Sequence, residues 1–171
     1  MKLWALILPL CLAGCGQKPV DIPRPRAYPR ITLYPATYHK AEIQRHILTV
    51  NDSVCVKTLG DGWFDIIYPS YGVTVNCTMS DYSPEIIGNR MERIDRNLGS
   101  AVAEVARMPA GIVVVAPAAL RTPVQLLATD SLTWTLSGAA VTDFPAGISS
   151  DSIAPIINAV AADMITLVKN L

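Results

Sequence analysis

The chain has 171 residues, and its 14 basic and 14 acidic side chains give a formal net charge of zero. This balance does not favour binding to nucleic acid or a polybasic contact with a membrane surface. The length predicts a single domain, which would bury about 70% of the surface of its unfolded chain.

The N-terminus carries an export signal. Residues 3–10 are apolar and follow a single charge, Lys2. This apolar run is far shorter than the roughly 20 residues that a membrane-spanning helix needs, so it is typical of a signal peptide. It ends in Leu12-Ala13-Gly14-Cys15, which has the pattern of a lipobox, the processing site of bacterial lipoprotein precursors. We therefore predict removal of residues 1–14, a diacylglycerol group on Cys15 and attachment to a membrane through this lipid anchor.

A proline-rich segment follows the lipidated cysteine. Residues 15–29 contain Pro19, Pro23, Pro25 and Pro29. Proline disfavours helix and strand pairing and favours an extended chain of about 3.1 Å per residue. We interpret residues 15–29 as a stalk and residues 30–171 as a single globular domain.

The first half of this domain predicts short strands. Val73, Val75, Cys77 and Met79 alternate with polar residues, which is typical of a strand buried on one face only. The predicted strands are 30–35, 54–56, 63–68 and 73–79, while residues 36–53 predict no element.

The second half predicts two amphipathic helices and three more strands. Apolar residues at steps of three and four predict a helix over 84–108 and a C-terminal helix that begins at 150–152. The predicted strands are 112–116, which we expect to be buried and central, 121–130 and 132–141. These elements indicate an α+β fold, a mostly antiparallel β-sheet flanked by two amphipathic helices.

Two cysteines belong to the predicted domain, Cys55 and Cys77. An even pair in an exported protein favours a disulfide, which would close a loop of about 22 residues and stabilise the fold by about 3 kcal/mol. The two thiols become neighbours if residues 54–56 pair alongside 73–79. The alternative is two buried free thiols.

The sequence contains no recognisable catalytic or metal-binding pattern. The only histidines, His39 and His46, do not have the spacing of metal ligands, and no nucleophile elbow or glycine-rich phosphate loop is present. We predict no enzyme activity, no cofactor and no metal. A hydrolase that uses His39 or His46 is a minor alternative.

Aromatic residues cluster around the predicted hairpin at 63–75. Core packing explains Trp63, Phe64, Tyr68 and Tyr71 well, since aromatic side chains bury large areas. The alternative is a small-ligand pocket lined by Trp63, Tyr68, Tyr71 and Trp134.

Three tripeptides have the order Asp-Ser-apolar, and they are centred on Ser53, Ser131 and Ser152. They resemble the O-glycosylation acceptor pattern of exported Bacteroidota proteins. Turn and cap chemistry explains the same residues equally well.

Four segments together resemble the gliding-motility lipoproteins of Bacteroidota called GldD, of which this chain would be a divergent member. The segments span nearly the whole mature chain, and they are PRPRAYPRITLYPATY (23–38), FDIIYPSYGVTV (64–75), LLATDSLTWTLSGAAV (126–141) and DSIAPIINAVAADMI (151–165).

The resemblance implies a non-enzymatic accessory lipoprotein of the gliding-motility or type IX secretion apparatus, which works through contacts with other envelope proteins. The implied fold is similar to the PsbP/Mog1-like α/β/α sandwich. No acidic run follows Cys15, and Asp21 is the first acidic residue, which favours the periplasmic face of the outer membrane over display on the cell surface.

Overall fold

A computed structural model of the chain describes residues 32–43, 45–119, 121–144 and 150–171. These residues belong to one compact unit, Ile31–Leu171. The predicted signal peptide 1–14, the lipidation site Cys15 and the stalk 15–29 lie outside the described residues.

The described part of the chain is built around an antiparallel sheet. Its elements in chain order are β1 (Tyr38–Ile43), β2 (His46–Asn51), β3 (Cys55–Gly60), β4 (Trp63–Tyr68), β5 (Val73–Asp81), α1 (Pro84–Leu98), β6 (Glu104–Met108), β7 (Gly111–Val115), β8 (Val124–Thr129), β9 (Trp134–Thr142) and α2 (Ser150–Lys169). Seven strands form one sheet in the order β3-β4-β5-β9-β8-β7-β6, and β1 and β2 form a separate hairpin. The predicted α+β class, an antiparallel sheet flanked by two helices, is confirmed.

The main core lies between one face of the sheet and α2. Residues of β4 and β5 at every second position, from Phe64 to Met79, are buried there, as the alternation in the sequence predicts. Helix α2 contributes an apolar stripe from Ile153 to Val168 and packs over β6, β7 and β8. The hairpin of β1 and β2 joins the same core through Leu48 and Val50. We call this side of the sheet the core face.

A smaller apolar cluster lies on the opposite side of the sheet, which we call the outer face. Ile94 of α1 packs there against Val114 of β7 and Leu127 of β8. Because neighbouring residues of a strand point to opposite faces, Val114 and Leu127 face away from the main core. The two helices therefore flank the sheet on opposite sides, as in an α/β/α layering.

Helix α1 is shorter than the prediction of 84–108. Ser83 caps its N-terminus by accepting a hydrogen bond from the Ile86 N–H, and Pro84 occupies the first turn. Gly99 ends it in a conformation with φ 54°, and its N–H donates to the Asp95 carbonyl. The extension to 108 was wrong, because residues 104–108 form strand β6 and Val102 lies exposed in the connection.

The prediction for the beginning of the domain was also wrong. Residues 32–35 form no strand, and the first strand, β1, begins at Tyr38. Tyr34 stacks on Tyr71, with ring centroids 4.4 Å apart, and its hydroxyl accepts from the Ser70 N–H. This segment is therefore held by aromatic packing, and the polar stretch that predicted no element forms the β1–β2 hairpin.

The remaining elements agree with the sequence within a few residues at each end. Strands β3, β4, β5, β7, β8 and β9 and helix α2 all occur where a strand or helix was predicted. The exception is the position of β7, which is interior but not central. The central strand is β9.

The geometry assumed for the disulfide was wrong. Strand β4 lies between β3 and β5, so Cys55 pairs with Ile67 and Cys77 pairs with Phe64. The two thiols also lie on opposite faces, since Cys55 is exposed and Cys77 is 1% exposed in the core. A disulfide needs Cα atoms within about 7 Å and Cβ vectors that converge. Both cysteines are free thiols in the structure.

This arrangement predicts unequal thiol reactivity. Burial raises the pKa of the Cys77 thiol well above its usual range, whereas Cys55 is exposed. A water-soluble maleimide should label Cys55 in the native protein and Cys77 only after denaturation without a reductant. Peptide mapping by mass spectrometry distinguishes the two sites, and recovery of a peptide pair linked through Cys55 and Cys77 would contradict the structure.

A buried carboxylate attaches the hairpin to α2. Asp163 of α2 is 8% exposed, and its Oδ1 accepts from the Tyr38 hydroxyl at 2.8 Å and from Asn51 Nδ2 at 3.3 Å. Tyr68 Oη faces the same carboxylate but finds no hydrogen-bond partner within the described residues. Desolvation raises the pKa of Asp163 despite the hydrogen bonds that oppose this shift.

The raised pKa of Asp163 gives the free energy of unfolding a defined pH dependence. At Asp163 the folded state binds a proton more tightly than the unfolded state, so the contribution of this group to stability is fully present below the unfolded pKa of about 4 and is lost as pH rises through the folded pKa. Asp163→Asn keeps a carbonyl acceptor but cannot bind a proton in this pH range, so it should abolish the contribution of residue 163 to the pH dependence of the free energy of unfolding. Tyr38→Phe should cost about 1 kcal/mol, because it removes one buried hydrogen bond. Urea denaturation across a pH series measures both effects, and an unchanged pH slope in the Asp163→Asn variant would contradict the assignment.

Helix α2 is also the one described helix that is long and apolar enough to cross a membrane by length and composition alone. Its apolar stripe is buried against the sheet, and Asp163 lies within the same buried side. We therefore interpret α2 as the core helix of the domain.

Candidate functional site

A groove lies on the outer face, between α1 and strands β4, β5, β8 and β9. Its volume is about 550 Å³, within the range of ligand sites in proteins. The side chains that matter for its chemistry are Trp63, Asp65, Arg90, Arg93 and Gln125. We call this cavity the outer groove.

The strand alternation explains the floor of the outer groove. Phe64 and Cys77 face the core, so their neighbours Trp63, Asp65, Asn76 and Thr78 point to the outer face. Helix α1 covers β7 and β8 but not β4 and β5, which leaves this polar part of the face uncovered.

Helix α1 supplies two cations to the wall of the groove. Arg90 and Arg93 are three residues apart, so they lie on the same side of the helix. Neither guanidinium forms an ion pair or hydrogen bond with another described residue. Burial lowers the pKa of Arg90, and the neighbouring charge of Arg93 lowers it further. Two like charges are thus held together without a counterion from the described part of the domain.

A buried amide borders the same groove. Gln125 of β8 is only 2% exposed, and its Oε1 accepts from Asn97 Nδ2 at 2.7 Å. Its Nε2 has no hydrogen-bond partner among the described residues. An unsatisfied buried donor costs about 1–3 kcal/mol, so a polar ligand atom at this position would be stabilising.

One carboxylate lies opposite the arginines. Asp65 on the floor accepts a hydrogen bond from Asn76 Nδ2 at 2.7 Å. The groove therefore combines two positive charges and one negative charge, with an exposed indole at Trp63.

The four residues of the predicted aromatic pocket do not meet. Tyr68 and Tyr71 are buried in the main core, where their parallel rings lie 5.8 Å apart. Trp63 is 54% exposed on the other side of the sheet. Trp134 packs edge-on against His46, with ring centroids 5.7 Å apart. The predicted single pocket is wrong, because β4 and β5 separate the tyrosines from Trp63.

A second, smaller cleft contains Trp134. Its volume is about 490 Å³, and Arg45, His46, Asp61 and Asp81 border it with the indole.

The two histidines lie at opposite ends of the β1–β2 hairpin. His39 Nδ1 is 2.8 Å from Asp52 Oδ1, and this contact lowers the pKa of Asp52. Within the described part of the chain, no serine, threonine or cysteine side chain forms a hydrogen bond with His39 or His46. The described residues therefore contain a histidine–aspartate pair that a hydrolase could use, but they place no nucleophile beside it.

The three Asp-Ser-apolar segments differ in accessibility. Ser131 is exposed in the β8–β9 turn with φ 60°, whereas Ser53 and Ser152 are half-buried. Asp130 organises this turn by accepting from the N–H groups of Leu132, Thr133 and Trp134. Desolvation opposes ionisation of Asp130, but hydrogen bonds from the Thr133 hydroxyl and from these N–H groups outweigh it and hold the pKa of the carboxyl well below its usual range.

The described residues bring no three histidine, cysteine, aspartate or glutamate side chains together in a way that could hold a metal ion. No family model, no curated protein and no solved structure matches this chain. The resemblance to the GldD lipoproteins and to the PsbP/Mog1-like sandwich therefore stays a prediction.

The sequence pointed to one residue of the outer groove and missed the others. Trp63 was grouped with the core aromatics, although the alternation in β4 already places it opposite Phe64. Arg90 and Arg93 have the pattern of an ordinary solvent-exposed helix face, and Gln125 lies within an otherwise apolar strand, so none of the three was singled out as a site residue. Their proximity depends on how α1 crosses the sheet, which no local pattern encodes.

Adjacent substitutions in β4 test which face each side chain occupies. Trp63→Ala should change the free energy of unfolding by less than about 0.5 kcal/mol, because the indole is exposed. Phe64→Ala should cost about 3–5 kcal/mol, because Phe64 is 0% exposed in the core. Denaturant unfolding of both variants measures the difference, and equal losses would contradict the assignment of faces.

Proposed function

We propose that this protein is a membrane-anchored lipoprotein of the cell envelope, whose domain acts without catalysis as an accessory component of a gliding-motility or type IX secretion apparatus. The observation that carries the proposal is Leu12-Ala13-Gly14-Cys15, followed by the proline-rich stalk. The resemblance of four segments to the GldD lipoproteins supports the apparatus. The proposed location is the outer membrane, with the domain facing the periplasm.

The domain would act by contact with other envelope proteins, and nucleic acid is not expected as a partner. Two features of the described residues support a role in binding. The outer groove is an uncovered part of the sheet, and the unpaired charges of Arg90 and Arg93 border it. The opposite face is closed by α2 and the hairpin.

The anchor is tested by replacing the lipidated thiol. Cys15→Ser should move the protein from the membrane fraction to the soluble fraction of lysed cells, because two acyl chains supply the membrane affinity. Cys55→Ser is the matched control, since this exposed thiol should leave fractionation unchanged. Membrane association of the Cys15→Ser variant equal to that of the wild type would refute the lipid anchor.

The partner is tested by site-specific crosslinking in living cells. A photoreactive residue at Thr78, in the outer groove, should capture a component of the gliding or secretion apparatus. The same residue at Asn158, exposed on α2, is the matched control and should capture it much less. Failure to capture any component of that apparatus from either position would count against the proposed role.

A second candidate function is the binding of a small ligand in the outer groove. The specific observation that favours it is Gln125, which lines the same cavity as Trp63 and the two arginines and whose buried Nε2 has no hydrogen-bond partner among the described residues. This candidate keeps the hypothesis of a ligand site but moves it from the tyrosine cluster to the outer face.

A further inference from the structure

The charges of the outer groove indicate the charge of its ligand. Arg90 and Arg93 lie on the same side of α1 without a counterion among the described residues, and burial together with the charge of Arg93 lowers the pKa of Arg90. A carboxylate between the two guanidinium groups would relieve the repulsion between these charges and accept paired hydrogen bonds from them. The α1 side of the groove is therefore suited to a carboxylate.

The opposite side of the groove argues against a simple anion. Asp65 lies on the floor and is already bonded to Asn76. An ionised carboxylate only accepts hydrogen bonds, so it would repel an inorganic anion that fills the groove and would favour a ligand with hydroxyl donors. The ligand should thus be acidic at one end and hydroxylated at the other.

The uncharged groups of the groove also suit a hydroxyl-rich ligand. Thr78 and Ser137 present hydroxyls on the floor, and Nε2 of the buried Gln125, which has no hydrogen-bond partner within the described ranges, needs an acceptor. A sugar hydroxyl can both donate and accept, so it can satisfy groups of either kind.

Trp63 supplies the apolar surface that such a ligand needs. Its indole is 54% exposed at the edge of the polar floor, next to Asp65 in the strand. Indole rings provide a rigid apolar face with little loss of conformational entropy on binding. The flat apolar face of a sugar ring can pack on it.

We propose that the outer groove binds an acidic saccharide, with the sugar carboxylate between Arg90 and Arg93, a sugar ring on Trp63 and hydroxyl groups on Asp65 and Gln125. The proposal rests on the second candidate function, the binding of a small ligand in the outer groove, and it names the ligand class of that site.

The test is a binding titration of the full chain in detergent with short uronic acid oligomers, namely those of glucuronic, galacturonic and mannuronic acid. The matched neutral oligomers of glucose, galactose and mannose are the controls. Calorimetry measures affinity, and the indole N–H resonance of Trp63, assigned with Trp63→Phe, reports the site. At least one uronic acid oligomer should bind at least about tenfold more tightly than its neutral counterpart, because the carboxylate forms charge-assisted bonds.

Variants of the groove then identify the contacts. The double variant Arg90→Gln/Arg93→Gln should bind the uronic acid oligomer about tenfold or more weakly and should lose the preference for the acidic over the neutral sugar. Trp63→Ala should weaken the binding of acidic and neutral oligomers by about the same factor, because the indole contacts the apolar face of the sugar ring and not its carboxylate. Arg107→Gln, on exposed β6 outside the groove, is the matched control and should bind like the wild type.

Three results would overturn the proposal. They are the absence of binding of every uronic acid oligomer at millimolar concentration, unchanged binding by the double arginine variant, and tighter binding of a short polyglutamate peptide than of any uronic acid oligomer. The last result would identify the ligand as an acidic peptide. Crosslinking of the proposed envelope partner is independent of these titrations, so failure of the saccharide and failure of the accessory role are distinguishable.

Discussion

The pairing of β5 with β9 is the interaction on which the rest of the structure depends. Nine residue pairs join these strands, from Val73 opposite Thr142 to Asp81 opposite Trp134. The pairing unites the meander β3-β4-β5 with the meander β6-β7-β8-β9 in one sheet, and α1 forms the connection between them. A shift of one residue would turn Val75 and Cys77 from the core to solvent, so burial fixes the register. The same register places Asn76 and Thr78 on the outer face.

The outer groove follows from this topology and from the length of α1. The 15 residues of α1 extend about 22 Å, and the chain must then return to the far edge of the sheet as β6. Gly99 ends the helix with a positive φ, so α1 covers only the part of the face around Val114 and Leu127. The apolar pattern of the strands agrees with this division. Leu127 is apolar where α1 covers the outer face, whereas Asp65 and Asn76 are polar where the face stays open.

Patterns confined to one element were predictable from the sequence, and relations between elements were not. The alternation from Val73 to Met79 identified both the strand and its buried face, and the apolar spacing identified α2. Val102 and Val105 continued the helical spacing past Gly99, which caused the overlong helix. The prediction of a disulfide was wrong because strand order is a tertiary property that no local pattern reveals. Strand β4 lies between the strands of Cys55 and Cys77. The groove was missed for the same reason, since Trp63 and Arg90 come together only when α1 lies across the sheet.

Buried polar atoms without a hydrogen-bond partner among the described residues occur on both faces of the sheet, at Tyr68 Oη in the core and at Gln125 Nε2 on the outer face. On the core face, Asp163 accepts hydrogen bonds from Tyr38 and Asn51, so the folded chain itself satisfies much of this carboxylate. On the outer face, Gln125 is even less accessible than Asp163 and lines the outer groove, but its Nε2 has no hydrogen-bond partner among the described residues. Uncompensated burial lowers stability, and such groups in folded proteins call for an explanation. A ligand atom that completes the hydrogen bonding of Gln125 would explain both the buried amide and the unpaired arginines beside it. Gln125 lines the outer groove, which supports the proposed ligand recognition on the α1 side, while Asp163 on the other side holds the hairpin to the core.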